Sequence, residues 1–72
     1  MLTYRLLSSD DKGFIYLYFP DGNEDSPGKI RIYFDGSREL ISESSYDIGK
    51  RYAHHAMKKI DISQKTGTIA WY

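Results

Sequence analysis

Seventy-two residues hold one domain at most, and a chain this short buries only about 60% of the surface its unfolded form exposes. Ten Lys and Arg balance ten Asp and Glu, and there is no cysteine. A disulfide framework, thiolate zinc chemistry and long-range attraction of polyanions by net charge are thereby excluded, leaving association with a partner subunit as the device open to a small fold.

The charges are unevenly spread along the chain. Between residues 8 and 25 Asp10, Asp11, Asp21, Glu24 and Asp25 face Lys12 alone, whereas residues 49–60 carry Lys50, Arg51, Lys58 and Lys59 and no acid. That polarity can orient a partner or a second copy. The first residues, MLTYRLLSSDDKG, lack a basic flank followed by a long apolar region, so the chain reads as soluble and cytoplasmic, with no membrane partner.

The first strand is expected over residues 2–8, with Leu2, Tyr4 and Leu6 on one face and Thr3, Arg5 and Leu7 on the other. SSDDKG supplies a turn, and the second strand, residues 14–19, is apolar or aromatic at every position until Pro20 stops it. Strict alternation cannot say which of its faces is buried. A polar loop, PDGNEDSPG, leads to the third strand, residues 29–34, where Ile30, Ile32 and Phe34 alternate with Lys29, Arg31 and Tyr33. Asp35-Gly36 predicts a tight two-residue hairpin returning through residues 37–41.

Ser44 and Asp47 have the spacing of a capping box, which predicts a helix from about residue 44 to 60. At 100° per residue Ile48, Gly49, Tyr52, Ala53, Ala56 and Ile60 collect on an inner face, with Asp47, Lys50, Arg51, His54 and Lys58 outside. Gly49 on the inner face implies close approach to the sheet. A last strand over residues 68–72 places Ile69 and Trp71 on one side; it either joins the sheet beside the first strand or folds over an uncovered face.

The order of elements gives an α+β domain spanning residues 1–72: an antiparallel sheet of four to five strands packed by one amphipathic helix. Ile15, Leu17 and Phe19 or their alternates lie beneath the helix with Ile30, Ile32 and Phe34; in the first case the other face holds Phe14, Tyr16, Tyr18, Lys29, Arg31 and Tyr33. One helix cannot cover both sides, and an uncovered aromatic face marks a contact surface. Those six residues are the expected interface of a small binding module, self-associating as a homodimer or holding another protein, since Tyr and Arg suit protein contacts. The alternative is nucleic-acid contact through Arg5 and Arg31 on the sheet or Lys50, Arg51, His54 and Lys58 on the helix, bases stacking on tyrosines and cations holding phosphates.

Other motifs carry little chemistry. His54 and His55 are adjacent, so on a helix they point about 100° apart and cannot share one metal ion. Asp21, Asn23 and Asp25 have the spacing of calcium ligands, but Ser26 stands where such a loop needs glycine and Ile32 where it needs a glutamate. With no cysteine nucleophile, nucleophile elbow or glycine-rich phosphate loop, the reading is of a non-enzymatic protein without cofactor, metal or catalytic residues.

Overall fold

The computed structural model describes residues 1–47 and 49–70. Its elements are β1 (Leu2–Ser9), β2 (Gly13–Pro20), β3 (Gly28–Tyr33), β4 (Arg38–Ser42), α1 (Arg51–Lys59) and β5 (Thr66–Ile69). They form one antiparallel sheet in the order β4-β3-β2-β1-β5, packed by the helix, the α+β architecture expected. β5 joins the edge beside β1, with Leu2 opposite Ile69 and Arg5 opposite Thr66. Trp71, Tyr72 and Ile48, to which the sequence assigned places on the last strand and the helix, lie outside the described residues.

The β3–β4 hairpin forms where Asp35-Gly36 placed it, but its loop has three residues, not two. Gly36 N–H donates to Tyr33 O at 3.0 Å and Tyr33 N–H to Ser37 O at 2.8 Å, so Phe34, Asp35 and Gly36 make the connection. Gly36 has φ +95°, the left-handed conformation that closes such a loop. Asp35 steadies it by accepting from both the backbone and the hydroxyl of Ser37, which holds its carboxyl below the usual carboxylate range. The extra residue takes Phe34 out of the strand: it is 60% exposed instead of lying under the helix, and its ring meets that of Phe14 edge-on at 5.3 Å.

Register settles which face of β2 is inside, and it reverses the expectation. Tyr16 stands opposite Ile30 and Phe14 opposite Ile32, while Ile15 faces Arg31 and Leu17 faces Lys29. Directly opposed residues share a face, so the tyrosines lie under the helix with Ile30 and Ile32. Tyr16 is 1% exposed and Tyr18 0%, in one core with Leu2, Tyr4, Ala53, Ala56, Ile60 and Ile69. Two glycines make the space. A Cβ on Gly28 would stand 1.9 Å from Tyr18 Cε1, and one on Gly67 would stand 2.4 Å from the Tyr4 ring. Each ring therefore lies across a glycine of the neighbouring strand, Tyr18 opposite Gly28 and Tyr4 opposite Gly67.

The hydroxyls of these tyrosines reach past the apolar centre to the segments on either side of the helix. Tyr18 OH donates to Asp47 Oδ2 at 3.1 Å and accepts from Ser44 N–H at 3.1 Å. Tyr16 OH donates to Gln64 O at 2.9 Å, and Tyr4 OH accepts from Asp61 N–H at 3.4 Å. Tyrosine suits such a layer because its body is apolar and its tip polar. Burial pushes the Tyr18 phenol up to about 12 from its ordinary 10.0, and it raises that of Tyr16. The folded state holds the Tyr18 proton more tightly than the unfolded chain does, so its contribution is complete below pH 10 and is lost as pH rises toward 12. Unfolding free energies from chemical denaturation between about pH 9 and 12 will hold to about pH 10 and then fall by up to about 1.4 kcal/mol per pH unit, and Tyr18→Phe will flatten the fall.

The helix is shorter than the Ser44–Asp47 spacing implied. Gly49 and Lys50 have φ of +68° and +60°, which no right-handed helix contains, and the helix begins after them. Gly49 is exposed and outside the helix, not against the sheet. Ser44 is buried, but its hydroxyl donates to Ser26 O and accepts from Tyr46 N–H, tying the segment to the loop before β3. Asp47 supplies the cap from a distance: its two oxygens accept from Tyr52 N–H and Ala53 N–H, each at 2.9 Å. Small Ala53 and Ala56 let the helix approach the tyrosine layer, both of them 1% exposed or less.

At the other end a sheet residue serves the helix. Arg38 stands opposite Ile32 on the covered face, and its guanidinium donates to Met57 O at 2.7 Å and Ile60 O at 2.9 Å. Those carbonyls are the ones a helix C-terminus leaves without a partner, and they carry its negative dipole end. Lys58 and Lys59 add positive charge in the same turn. Arg38→Ala will destabilise the fold by about 1–2 kcal/mol, and Arg38→Lys, which replaces the planar fork whose two nitrogens each serve one carbonyl by a single ammonium on a shorter side chain, will recover less than half of that in chemical denaturation.

Candidate functional site: the open face of the sheet

The residues that alternate with the core form the second face. β1 contributes Thr3 and Arg5, β2 Ile15, Leu17 and Phe19, β3 Lys29, Arg31 and Tyr33, β4 Glu39, and β5 Thr66 and Thr68. The helix is on the other side, against Tyr16, Ile30 and their neighbours. Ile15 and Leu17 are half-buried at the centre of the open face, with Lys29, Arg31 and Tyr33, also half-buried, along one flank.

Of the six residues expected to form an interface, Lys29, Arg31 and Tyr33 are on this face. Phe14, Tyr16 and Tyr18 are not. Tyr16 and Tyr18 are enclosed by the chain itself, and Phe14 is half-buried at the margin of the core, beside Phe34. The correction follows from the glycines: with Gly28 and Gly67 on the inner parity there is room for tyrosine rings inside, and the smaller aliphatics Ile15 and Leu17 turn outward. Alternation of hydrophobicity could not show this in a strand apolar on both sides. The opposition of Tyr18 to Gly28 is the signal that does.

Charge on the open face is largely compensated. Arg31 pairs with Asp10 Oδ2 at 2.8 Å and its guanidinium carbon lies 5.7 Å from the Tyr33 ring centre. Asp10 also closes the β1–β2 turn by accepting from Lys12 N–H and Gly13 N–H; those backbone donors, with Arg31, hold its carboxyl below the usual range. Arg5 pairs with Glu24 at 3.2 Å and lies over the Phe19 ring, 5.1 Å from its centre. The loop from residue 21 to 27 thus reaches this end of the face, and Phe19 is only 3% exposed. Between loop and sheet lies a shallow depression of about 270 Å³ lined by Thr3, Arg5, Phe19, Glu24, Thr66 and Thr68. Among the described residues no ion pair forms at Lys29.

The basic residues of the helix are elsewhere. Lys50 precedes the helix, and Arg51, His54 and Lys58 are exposed on its outer side, across the molecule from Arg5 and Arg31. The two cationic sets therefore do not make one surface. The histidine rings are 6.1 Å apart, edge to face, and burial followed by the charges of Lys59 and His54 pushes His55 below the ordinary histidine value. Among the described residues no three His, Asp or Glu groups come together as a metal site would need. In the loop, Asn23 accepts from Asp25 N–H, and Asp21 bonds the Tyr52 hydroxyl and lies 3.6 Å from the N-terminal amine. Among the described residues no helix is long and apolar enough to cross a membrane.

No family model, curated protein or solved structure matches the chain. Geometry and chemistry carry the functional reading.

Proposed function

We propose that this chain is a small, non-enzymatic, cytoplasmic binding module that holds another protein on the open face of its sheet. The observation that carries the reading is a pair of aliphatics, Ile15 and Leu17, at the centre of a face on which the helix does not pack, flanked by Lys29, Arg31 and Tyr33. An apolar centre with an aromatic and cationic rim is the composition protein contacts favour. Phosphate recognition is less well served, because Arg5 and Arg31 are already neutralised by Glu24 and Asp10. Self-association through a tyrosine face loses its basis, since Tyr16 and Tyr18 belong to the core.

Cross-linking in native lysate tests the proposal with two variants that keep the wild-type circular dichroism. Leu17→Lys will abolish the cross-linked products, and Lys58→Glu on the far side of the molecule will leave them unchanged. The reverse pattern, or salt-sensitive binding of single-stranded oligonucleotides by the wild type, would sink the protein-contact reading.

A further inference from the structure

The two edges of the sheet are built differently. On β4 the register shifts between Lys29 and Ile30, a bulge, and the strand carries Arg38 and Glu39; bulges and charges are how sheet edges avoid pairing with other chains. β5 has neither. It reads Thr66-Gly67-Thr68-Ile69, without charge or proline, and its pairing with β1 runs from Leu2–Ile69 to Arg5–Thr66 without a shift.

Alternation along the ladder tells which backbone groups of β5 are turned outward. Leu6 N–H donates to Lys65 O at 2.7 Å, marking that opposed pair as a hydrogen-bonded one. In an antiparallel ladder such pairs recur at every second residue, so Gly67 and Ile69 are bonded toward β1 and Thr66 and Thr68 present their N–H and C=O groups away from the sheet. Pro20 agrees with this phasing, since it stands opposite Leu2 where β1 turns its polar groups toward β5 and β2 needs no donor. Thr66 and Thr68 are both exposed.

We propose that the β5 edge pairs antiparallel with the β5 edge of a second copy, joining two five-stranded sheets into one. The occupant is chosen by self-complementarity. With the two-fold axis through Gly67, Thr66 of one copy stands opposite Thr68 of the other, and the outward groups of both form hydrogen-bonded pairs. Gly67 then meets Gly67 at a close, non-bonded position where a side chain would crowd, and its own Cβ site is already filled by the Tyr4 ring. The threonines pair across the strands on the open face. The two Lys65 residues fall at opposite ends of the junction, and copies of zero net charge do not repel one another. Four residues per strand limit the junction, so the dimer is weak and reversible, with a dissociation constant on the order of 0.1–1 mM. Pairing at the edge sets the two open faces side by side as one platform.

Sedimentation equilibrium from about 10 µM to about 2 mM, with residue-resolved amide exchange over the same range, tests this. The wild type will pass from monomer to dimer, and exchange at Thr66 and Thr68 will slow as concentration rises. Thr68→Pro removes an outward N–H without touching the β1 ladder and will weaken association at least tenfold; Thr68→Lys, which keeps the backbone donor, will do so by repulsion. Leu17→Lys, which disables the open face, will leave dimerisation unchanged, so the two proposals fail separately. A monomer at every concentration, unchanged exchange at Thr66 and Thr68, or a dimer lost in Leu17→Lys but kept in Thr68→Lys would each overturn the inference.

Discussion

Gly28→Ala will lower the stability of this fold by about 3 kcal/mol, even though it adds a single methyl group to a strand. That methyl would occupy a point 1.9 Å from Tyr18 Cε1 and 2.5 Å from the Tyr18 hydroxyl. The ring has nowhere to go, being 0% exposed and packed among Ile30, Ala53 and Ala56. Overpacking of this kind costs about 1–3 kcal/mol. Moving the ring also pulls the hydroxyl from Asp47 and from Ser44 N–H, leaving buried partners without it at about 1–3 kcal/mol more. A chain of 72 residues has a total stability of only about 4–11 kcal/mol. The expected readout is a melting temperature lower by about 15–20 °C. A double-mutant cycle isolates the cause: in a Tyr18→Ala background the same glycine substitution will cost less than about 1 kcal/mol. Equal costs in both backgrounds would show that the ring does not lie over the glycine.

That pair also explains what could and could not be read from the sequence. The strands, the α+β class and the inward places of Ile30 and Ile32 were legible because one parity of β3 is aliphatic and the other carries Lys29, Arg31 and Tyr33, and alternation in β1 put Leu2 and Tyr4 on one shared face. The inner helix positions Ala53, Ala56 and Ile60 were legible for the same reason at a period of 3.6. β2 offered no contrast, so hydrophobicity was silent and the choice of face fell to space: Gly28 and Gly67 could admit rings, whereas Lys29 and Thr68 could not. The helix start is not legible for a different reason. Ser44 and Asp47 have capping chemistry, but left-handed Gly49 and Lys50 intervene, and Asp47 caps the helix across that break instead of from its first turn. A lysine with φ +60° leaves no trace in a propensity. The open face followed directly once β2 was turned over, which is why Lys29, Arg31 and Tyr33 kept their place and the tyrosines of β2 did not.

Asp47→Ala will destabilise the protein by about 2–3 kcal/mol, because one carboxylate accepts three hydrogen bonds from two elements. It accepts Tyr52 N–H and Ala53 N–H, two of the donors that the start of a helix leaves without partners, and it accepts the Tyr18 hydroxyl from β2. α1 has nine residues, and a helix that short has little stability of its own. Its position depends on being held at both ends, by Asp47 at the start and by Arg38 and the core at the finish. Asp47→Asn should recover about half the loss: its one carbonyl oxygen, placed where Oδ2 stands, can still accept Ala53 N–H and the phenol, but its NH2 then faces Tyr52 N–H and cannot accept from it. Amide exchange separates the two roles. In Asp47→Ala the amides of Tyr52, Ala53 and His54 will exchange faster than those of β2 and β3, as the helix end opens without the sheet. In Tyr18→Phe, where the carboxylate remains, the helix amides will stay protected and the loss will appear as a smaller, uniform drop. Identical exchange patterns in the two variants would mean that the phenol, and not the backbone of the first turn, is what Asp47 chiefly holds.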